Sequence, residues 1–235
     1  MQENWGGRAG HGVHTPVAGK AARPDTHPMR RLFLGAGVGA AALFAGAVLW
    51  FTVANSRAVT ETPKYTVVQK DGDFELRDYP RLGLVSTGMS ADDRGMDGAF
   101  GRLFRFISGS NEAGQKIAMT TPVLVEGERG KEGKMSFIVP AAVAGEPPHP
   151  KDSGVRLGEQ AGGRFAVLRF RGGRTAEVER AAKEALRAEV ARRQIATMGE
   201  PFFAFYDPPW TPTFLRRNEI MLRATDPAPR PDVGR

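Results

Sequence analysis

Residues 103–123 read LFRFISGSNEAGQKIAMTTPV, an apolar helix end followed by a polar loop and the start of a strand. Upstream of this segment, apolar residues recur with the spacing of one helical face, which predicts an amphipathic helix from about Asp92 to Ile107. The residues of this face are Met96, Ala99, Phe100, Leu103, Phe104 and Ile107. Gly109 stands where helices commonly end in a left-handed residue. The segment therefore predicts a helix that packs on a sheet.

The remainder of the C-terminal two thirds of the chain alternates between strand and helix patterns. A hairpin is predicted around Asp71-Gly72, because Asp-Gly between β-prone runs favours a tight turn. Two successive halves then read strand–helix–strand–strand, which predicts an α+β domain built from a tandem repeat. The predicted strands are Tyr65–Gln69, Phe74–Arg77, Leu82–Thr87, Ile117–Glu126, Lys134–Val139, Phe165–Phe170, Phe202–Tyr206 and Glu219–Arg223; the second helix is Thr175–Gln194, and Gly145–Gly154 is a loop.

The N-terminal part of the chain has a different composition. Residues 1–31 are rich in Gly, Pro, His and Ala and carry five Lys or Arg against two acids, which predicts a disordered basic tail. Leu32–Ala54 follows as 23 residues without a charge, long enough to cross a bilayer as a helix. We expect an uncleaved anchor, because the apolar core of a cleavable signal peptide is shorter, about 7–15 residues. Residues 55–64 are a linker, and residues 226–235 a disordered C-terminal tail.

The charge pattern orients this span and excludes one class of partner. The pair Arg30-Arg31 directly before the span favours an N-terminus in the cytoplasm and a globular domain outside. The net charge of +7 is divided between the tail and a domain in which acids and bases are interleaved, so nucleic-acid binding is not expected. The sequence leaves the oligomeric state open.

Residues suited to catalysis are scarce. The chain has no cysteine, and His149 is the single histidine after the predicted span, inside a Pro-rich loop. The predicted domain therefore lacks the residues for a catalytic triad, a zinc site or a histidine general base. Its carboxylates form no close pair on one predicted face. The sequence predicts a binding module rather than an enzyme.

Four blocks of sequence resemble the SOUL haem-binding family, in register over about Tyr65 to Thr225. They are the opening hairpin with FELRDY at 74–79, the segment KIAMTTPV at 116–123, YDPP at 206–209 and RRNE at 216–219. The resemblance implies a duplicated βαββ unit that forms a distorted, barrel-like antiparallel sheet with two flanking helices. It also implies a cleft for haem or a related tetrapyrrole beside the first-repeat helix.

Carried onto this sequence, the family's site gives an apolar wall and one basic group. The wall is Met96, Phe100, Phe104 and Ile107, and Arg105 is the cation for a haem propionate. No histidine falls in the first repeat, so a histidine-ligated haem is not predicted. The family's basic residue after YDPP is Thr211 here, which removes one candidate partner for a propionate. Other possible iron ligands, left open, are Met96, Met119, Tyr65 and Tyr79. Asn111, Lys116, Arg216, Arg217 and Glu219 are assigned structural roles, with an ion pair between an arginine and Glu219.

These patterns predict a single-pass protein of a bacterial cytoplasmic membrane whose outer domain binds haem or a related tetrapyrrole. Two alternatives stay open. The domain could be a sensor or carrier of another hydrophobic small molecule, or a scaffold whose cleft is filled by its own side chains. Phe100 and Phe104 meeting across a closed cleft would favour the scaffold.

Overall fold

The structure is a computed structural model that describes residues 60–91, 98–128, 130–208 and 210–225. The predicted N-terminal tail, the predicted span Leu32–Ala54 and the predicted C-terminal tail lie outside these residues, as do Met96 and the predicted start of the first helix. Among the described residues, no helix combines the length and the hydropathy that a membrane span requires.

The described chain contains nine strands and two helices. The strands are β1 (Thr66–Asp71), β2 (Phe74–Tyr79), β3 (Leu82–Met89), β4 (Val123–Gly127), β5 (Gly133–Ile138), β6 (Val155–Gln160), β7 (Gly163–Phe170), β8 (Thr197–Phe205) and β9 (Asn218–Ala224). Helix α1 is Ala99–Ile107 and helix α2 is Ala176–Arg192. The predicted turn between β1 and β2 is confirmed, with Gly72 in the left-handed region at φ +60°.

Local sequence explains the bounds of α2. Thr175 has extended backbone and its side chain accepts a hydrogen bond from the Val178 N–H at 3.2 Å, so it caps the first turn. Glu177 and Glu179 follow in that turn and Arg192 lies in the last, the arrangement that the helix dipole favours. Ala182, Leu186 and Val190 are buried on the sheet side.

The strands form one sheet in the order β1-β2-β7-β9-β8-β4-β5-β3-β6, and every neighbouring pair is antiparallel. The predicted halves are confirmed: β4-β5-β3 of the first half and β8-β9-β7 of the second are arranged alike and meet where β4 pairs with β8. The strand before each half pairs with the other half, β2 with β7 and β6 with β3. This exchange joins the two repeats into one folding unit.

Side chains from the two faces of the sheet enter two separate cores. One core contains the buried faces of α1 and α2 with one set of strand residues, such as Phe74 and Ile220. The alternate residues of the same strands, such as Tyr79 and Met221, form the second core. A small void in that core is lined both by Tyr79 of β2 and by Gln160 of β6, although these strands lie near opposite ends of the sheet order. The sheet therefore curls, consistent with the predicted barrel-like form.

Two sequence predictions about strands are wrong. The predicted strand Ile117–Glu126 begins only at Val123, because the Ile117 N–H donates to the Ile107 carbonyl at 2.8 Å and belongs to the helix end. Strand β6 was not predicted. Its side chains are largely exposed and polar, and it pairs only with β3 at the edge of the sheet, so it lacks the apolar alternation that marks a half-buried strand.

Candidate functional site

Helix α1 is the candidate ligand-binding element, and one of its faces is buried in the core. Ala99, Leu103, Phe106 and Ile107 are buried against β3, β5 and β6. Ile107, predicted to contact ligand, is 6% exposed and lies within this core. It supports the helix from below rather than presenting a surface to solvent.

The end of α1 is fixed by Asn111, which is fully buried. Its side-chain amide donates to the carbonyls of Phe106 at 3.0 Å and Gln115 at 2.7 Å, and its oxygen accepts from the Gln115 N–H at 3.0 Å. These bonds satisfy a helix-terminal carbonyl and close the polar loop that follows. The structural role predicted for Asn111 is confirmed.

Phe100 and Phe104 form an aromatic platform on one flank of α1. Their rings stack with centroids 6.0 Å apart and an interplanar angle of 14°, and Phe100 meets Phe137 edge-on at 5.4 Å. Phe100 is half-buried, whereas 40% of Phe104 is exposed. Part of the Phe104 side chain is therefore exposed to solvent, while Phe100 is held by the core.

Arg105 lies on the other flank of the helix. Successive helical residues differ by about 100° around the axis, so Arg105 and Phe104 project in different directions. Arg105 lines a concavity of about 280 Å³ together with residues of the loop before β6. The structure thus brings Phe100 and Phe104 together and places the predicted cation on another flank of α1. Met96 lies outside the described residues.

Sequence reasoning missed a buried charge cluster, which consists of Glu75, Arg77 and Tyr79 of β2 with Tyr206, Arg217 and Glu219. Arg77 is 1% exposed and Glu219 is completely buried. The Arg77 guanidinium donates two hydrogen bonds to Glu219, at 2.7 and 3.0 Å, and its Nε donates to Glu75 at 2.7 Å. The predicted arginine pair with Glu219 is confirmed for Arg217, at 2.8 Å. The i, i+2 spacing of the β2 residues was the available signal, since it places them on one strand face.

The cluster strongly perturbs its ionisable groups. Burial opposes ionisation of Glu219, but the hydrogen bonds and charges of Arg77 and Arg217 outweigh it and lower the pKa of Glu219 to about 2. Burial raises the pKa of Tyr79 to about 12, and burial together with the Glu219 charge raises the pKa of Tyr206 well above its ordinary value. All these groups neutralise or bond one another. Perturbation of this kind marks a structural network as readily as a reactive site.

The void between the halves adjoins this cluster and is nearly filled. It is lined by Tyr79, Tyr206 and apolar residues of several strands, and it has room for about 10 Å³, roughly one water molecule. Tyr79, one of the possible iron ligands, accepts a hydrogen bond from Arg77 at 3.1 Å here, and its ring packs 5.0 Å from that of Tyr65. In this conformation no tetrapyrrole fits between the halves. Met119, another possible ligand, packs against the helix-side core.

The loop between β8 and β9 carries the YDPP block and the two arginines of RRNE, whose Asn218 and Glu219 begin β9. Thr211 is 2% exposed, and its carbonyl accepts a hydrogen bond from the Arg216 side chain at 2.8 Å. The Asp207 carboxylate accepts from the Arg217 backbone N–H. These contacts hold the loop in one conformation, in agreement with the structural roles predicted for both arginines. Within the described residues, no three His, Cys, Asp or Glu side chains are grouped as a metal site requires.

Comparison with known proteins gives consistent matches over this domain. The family model described as SOUL heme-binding protein matches residues 60–223. Heme-binding protein 1 of Mus musculus is 30% identical over 138 residues, which cover 55% of this chain and 72% of the mouse protein. Heme-binding protein 1 of Xenopus laevis is 26% identical over 163 residues, which cover 65% of this chain and 84% of that protein. The crystal structure of the EcmrR C-terminal domain is 12% identical, covers 68% of this chain and 98% of that domain, and has a TM-score of 0.49.

Proposed function

The chain belongs to the SOUL heme-binding protein family, and we propose that it binds haem or a related tetrapyrrole on the aromatic platform of α1. The observation that carries the proposal is the stacked pair Phe100 and Phe104, held by the core and exposed on its outer side. A pair of nearly parallel rings with one exposed member, Phe104, offers a flat macrocycle a stacking contact. Such a surface on a helix of a haem-binding family is best explained as a ligand contact.

The aromatic platform fits a ligand with a flat apolar ring, which Phe100 and Phe104 would hold. Arg105 projects from another flank of α1, so it is not assigned to a propionate. Bound haem would supply the chemistry of its iron. We assign no protein residue as a ligand of that iron. Relatives in mouse and frog are both named Heme-binding protein 1. These names support the same ligand class.

We further propose a binding protein rather than an enzyme. The groups whose pKa values depart most from their ordinary range are Arg77, Arg217, Glu219 and the two tyrosines bonded to them. Each of them is committed to a partner within the buried charge cluster, on the sheet face away from α1. Their pKa shifts are thus accounted for by structure, without a catalytic role.

For its location we propose a bacterial cytoplasmic membrane, with Leu32–Ala54 as a single span. The uncharged length of 23 residues supports the span, and Arg30-Arg31 before it supports an N-terminus in the cytoplasm and the domain outside. Protease added to sealed inverted vesicles should then remove only the N-terminal tail. Digestion of the domain in those vesicles would refute the orientation.

Haemin titration of the full chain in detergent tests the ligand. We expect a saturable Soret shift, and about tenfold weaker binding in Phe104→Asp, because the substitution removes the ring contact and sets a carboxylate against the propionates. Val68→Asp is the matched control, since Val68 is 46% exposed on the edge strand β1, and it should bind as the wild type does. A wild-type chain without a shift at tens of micromolar haemin would refute the proposal.

A second candidate is a scaffold domain that binds no small ligand. The nearly filled void between the halves and the packing of Phe100 on Phe137 favour it. It predicts neither a Soret shift nor thermal stabilisation by haemin or by metal-free porphyrin. Stabilisation by metal-free porphyrin alone would instead indicate a carrier of other flat apolar molecules.

A further inference from the structure

Two large aromatic side chains are exposed on the connection from β8 to β9. Trp210 is 82% exposed and Phe214 is 72% exposed, more than any other large apolar side chain among the described residues. We call residues 210–217 the aromatic loop. Its first six residues read WTPTFL and carry no charge. Apolar groups exposed to this extent on one short loop mark a surface that contacts something apolar.

The backbone of the aromatic loop is held in place. The Thr211 N–H donates to the Pro208 carbonyl at 3.0 Å, and the Leu215 N–H donates to the Pro212 carbonyl at 2.9 Å. The Arg216 side chain donates to the Thr211 carbonyl at 2.8 Å, and Thr211 itself is 2% exposed. The two aromatic side chains therefore project from a loop that is already ordered, so that binding through them costs little ordering.

The aromatic loop starts at the end of the sheet where the chain enters the domain. Val123, the first residue of β4, pairs with Phe205, the last residue of β8. Two residues before Val123, the Thr121 N–H donates to the Glu61 carbonyl at 2.9 Å, and the hydroxyls of Thr62 and Thr121 share a hydrogen bond of 3.0 Å. The entering chain and the aromatic loop thus lie at the same end of β4 and β8.

The length of chain before this point limits how far that end can lie from a membrane. Five residues separate Ala54, the last residue of the proposed span, from Thr60, the first described residue. Fully extended, this connection reaches at most about 20 Å. The span would therefore hold the end of the domain that carries the aromatic loop within reach of the bilayer surface.

The composition of this end suits the interface of a bilayer. Tryptophan concentrates at membrane interfaces, where its ring is buried among lipids and its N–H stays near water. A cation lies at the same end, since Arg171 is exposed and follows Phe170, which pairs with Asn218 at the start of β9. Cations near a membrane surface are attracted to anionic lipid headgroups.

A second copy of the chain is a weaker candidate for the same surface. At the ordinary size of aromatic side chains, the exposed parts of Trp210 and Phe214 amount to roughly 300–400 Å². A stable protein interface buries about 800 Å² on each partner. The aromatic side chains alone therefore fall short of a stable dimer contact, whereas insertion into lipid has no such minimum area.

We propose that the aromatic loop inserts Trp210 and Phe214 into the interface of the lipid bilayer and so fixes the orientation of the domain on the membrane. The proposal rests on the span Leu32–Ala54 proposed above, which would bring this loop to the bilayer. It adds a second membrane contact, made by the folded domain itself.

The fluorescence of Trp210 tests the proposal in the full chain. The chain has three tryptophans, so Trp5→Phe/Trp50→Phe leaves Trp210 as the single reporter. In phosphatidylcholine vesicles we expect emission at a shorter wavelength than that of a tryptophan in water, and strong quenching when the acyl chains are brominated. Adding Phe214→Glu should reduce that quenching by about twofold or more, because it places a charge at the interface.

The matched control is Met198→Glu in the same background. Met198 is 55% exposed and lies at the start of β8, whereas the aromatic loop follows the end of that strand. It introduces the same charge at an exposed apolar position, and the quenching of Trp210 should stay as in the parent. Equal losses in the two variants would reduce the contact to a general effect of charge and overturn the proposal.

Two other results would also overturn it. Trp210 emission that brominated lipid does not quench would show that the loop stays out of the bilayer. A shift to shorter wavelength without quenching would assign the loop to a contact with protein, such as a second copy. Washing the vesicles with alkaline carbonate tests the span separately: release of the chain would refute the span, while the quenching measured before the wash still decides the docking of the loop.

Discussion

Replacing Glu219 with glutamine tests how the domain is held together. Glu219 is completely buried and accepts hydrogen bonds from Arg77, Arg217 and Tyr206. Glutamine keeps the size of the side chain but removes its charge, which leaves Arg217 without its carboxylate partner and Arg77 with Glu75 alone. Breaking a buried pair by removing one partner costs about 3–5 kcal/mol of the free energy of unfolding.

The pKa of Glu219 gives an independent magnitude. A fall from its ordinary value of 4.5 to about 2 corresponds to about 3 kcal/mol of stabilisation by the ionised form. Because the pKa is depressed in the folded state, this stabilisation is fully present above the ordinary value and is lost as the pH falls through the folded value. The two routes agree on the expected loss at pH 7.

Urea unfolding of the full chain in detergent, followed by circular dichroism, measures the effect. At pH 7 we expect Glu219→Gln to lower the free energy of unfolding by about 3–5 kcal/mol, or the melting temperature by about 6–20 °C. Between pH 5 and pH 2 the wild type should lose most of that advantage, so the two proteins converge. Glu159→Gln, which breaks the exposed Arg81–Glu159 pair, should cost less than about 1 kcal/mol. A gap that stays constant from pH 7 to pH 2 would contradict the reasoning.

Two further predictions concern the helix and the tyrosines. Leu103→Ala removes a fully buried side chain of α1 and should lower the free energy of unfolding by about 2–5 kcal/mol in the same urea assay. Phe104→Ala, at a site that is 40% exposed, should lower it clearly less. Equal losses in the two variants would contradict the assigned helix orientation. The chain has three tyrosines, and burial raises the pKa values of Tyr79 and Tyr206. Absorbance at the phenolate band should therefore show at least two tyrosines still protonated at about pH 11. Two phenolates at that pH would mean that the cluster is open to water.

Apart from β6, the order of the elements could be predicted from the sequence because each half carries a strong local signal. Helix α2 has its first-turn acids and its apolar stripe within 17 residues, directly after its cap. The β1–β2 turn is predicted by Asp71-Gly72. The pairing of β2 with β7 and of β6 with β3 could not be predicted in this way. It depends on long-range packing of the two halves, and no local pattern records which half a strand will join.

The candidate site was predictable only in part, for a related reason. Periodicity groups Met96, Phe100, Phe104 and Ile107 on one stripe, but a stripe is wider than a contact face, so it includes both the core residue Ile107 and the exposed Phe104. Arg105 was carried over as a neighbour of that stripe. The structure instead places it in a groove on the other flank, because adjacent residues of a helix do not share a face.

Residues of the blocks that identify the family build the buried charge cluster. In RRNE, Arg217 and Glu219 complete the buried charge cluster, and FELRDY supplies its Glu75, Arg77 and Tyr79. In contrast, the platform residue Phe104 belongs to none of the four blocks and is exposed. Burying so many charges is tolerated only where each has a partner, so these residues cannot vary one at a time. A platform on the helix flank carries no such constraint, so a substitution at Phe104 should leave the cluster and the fold intact.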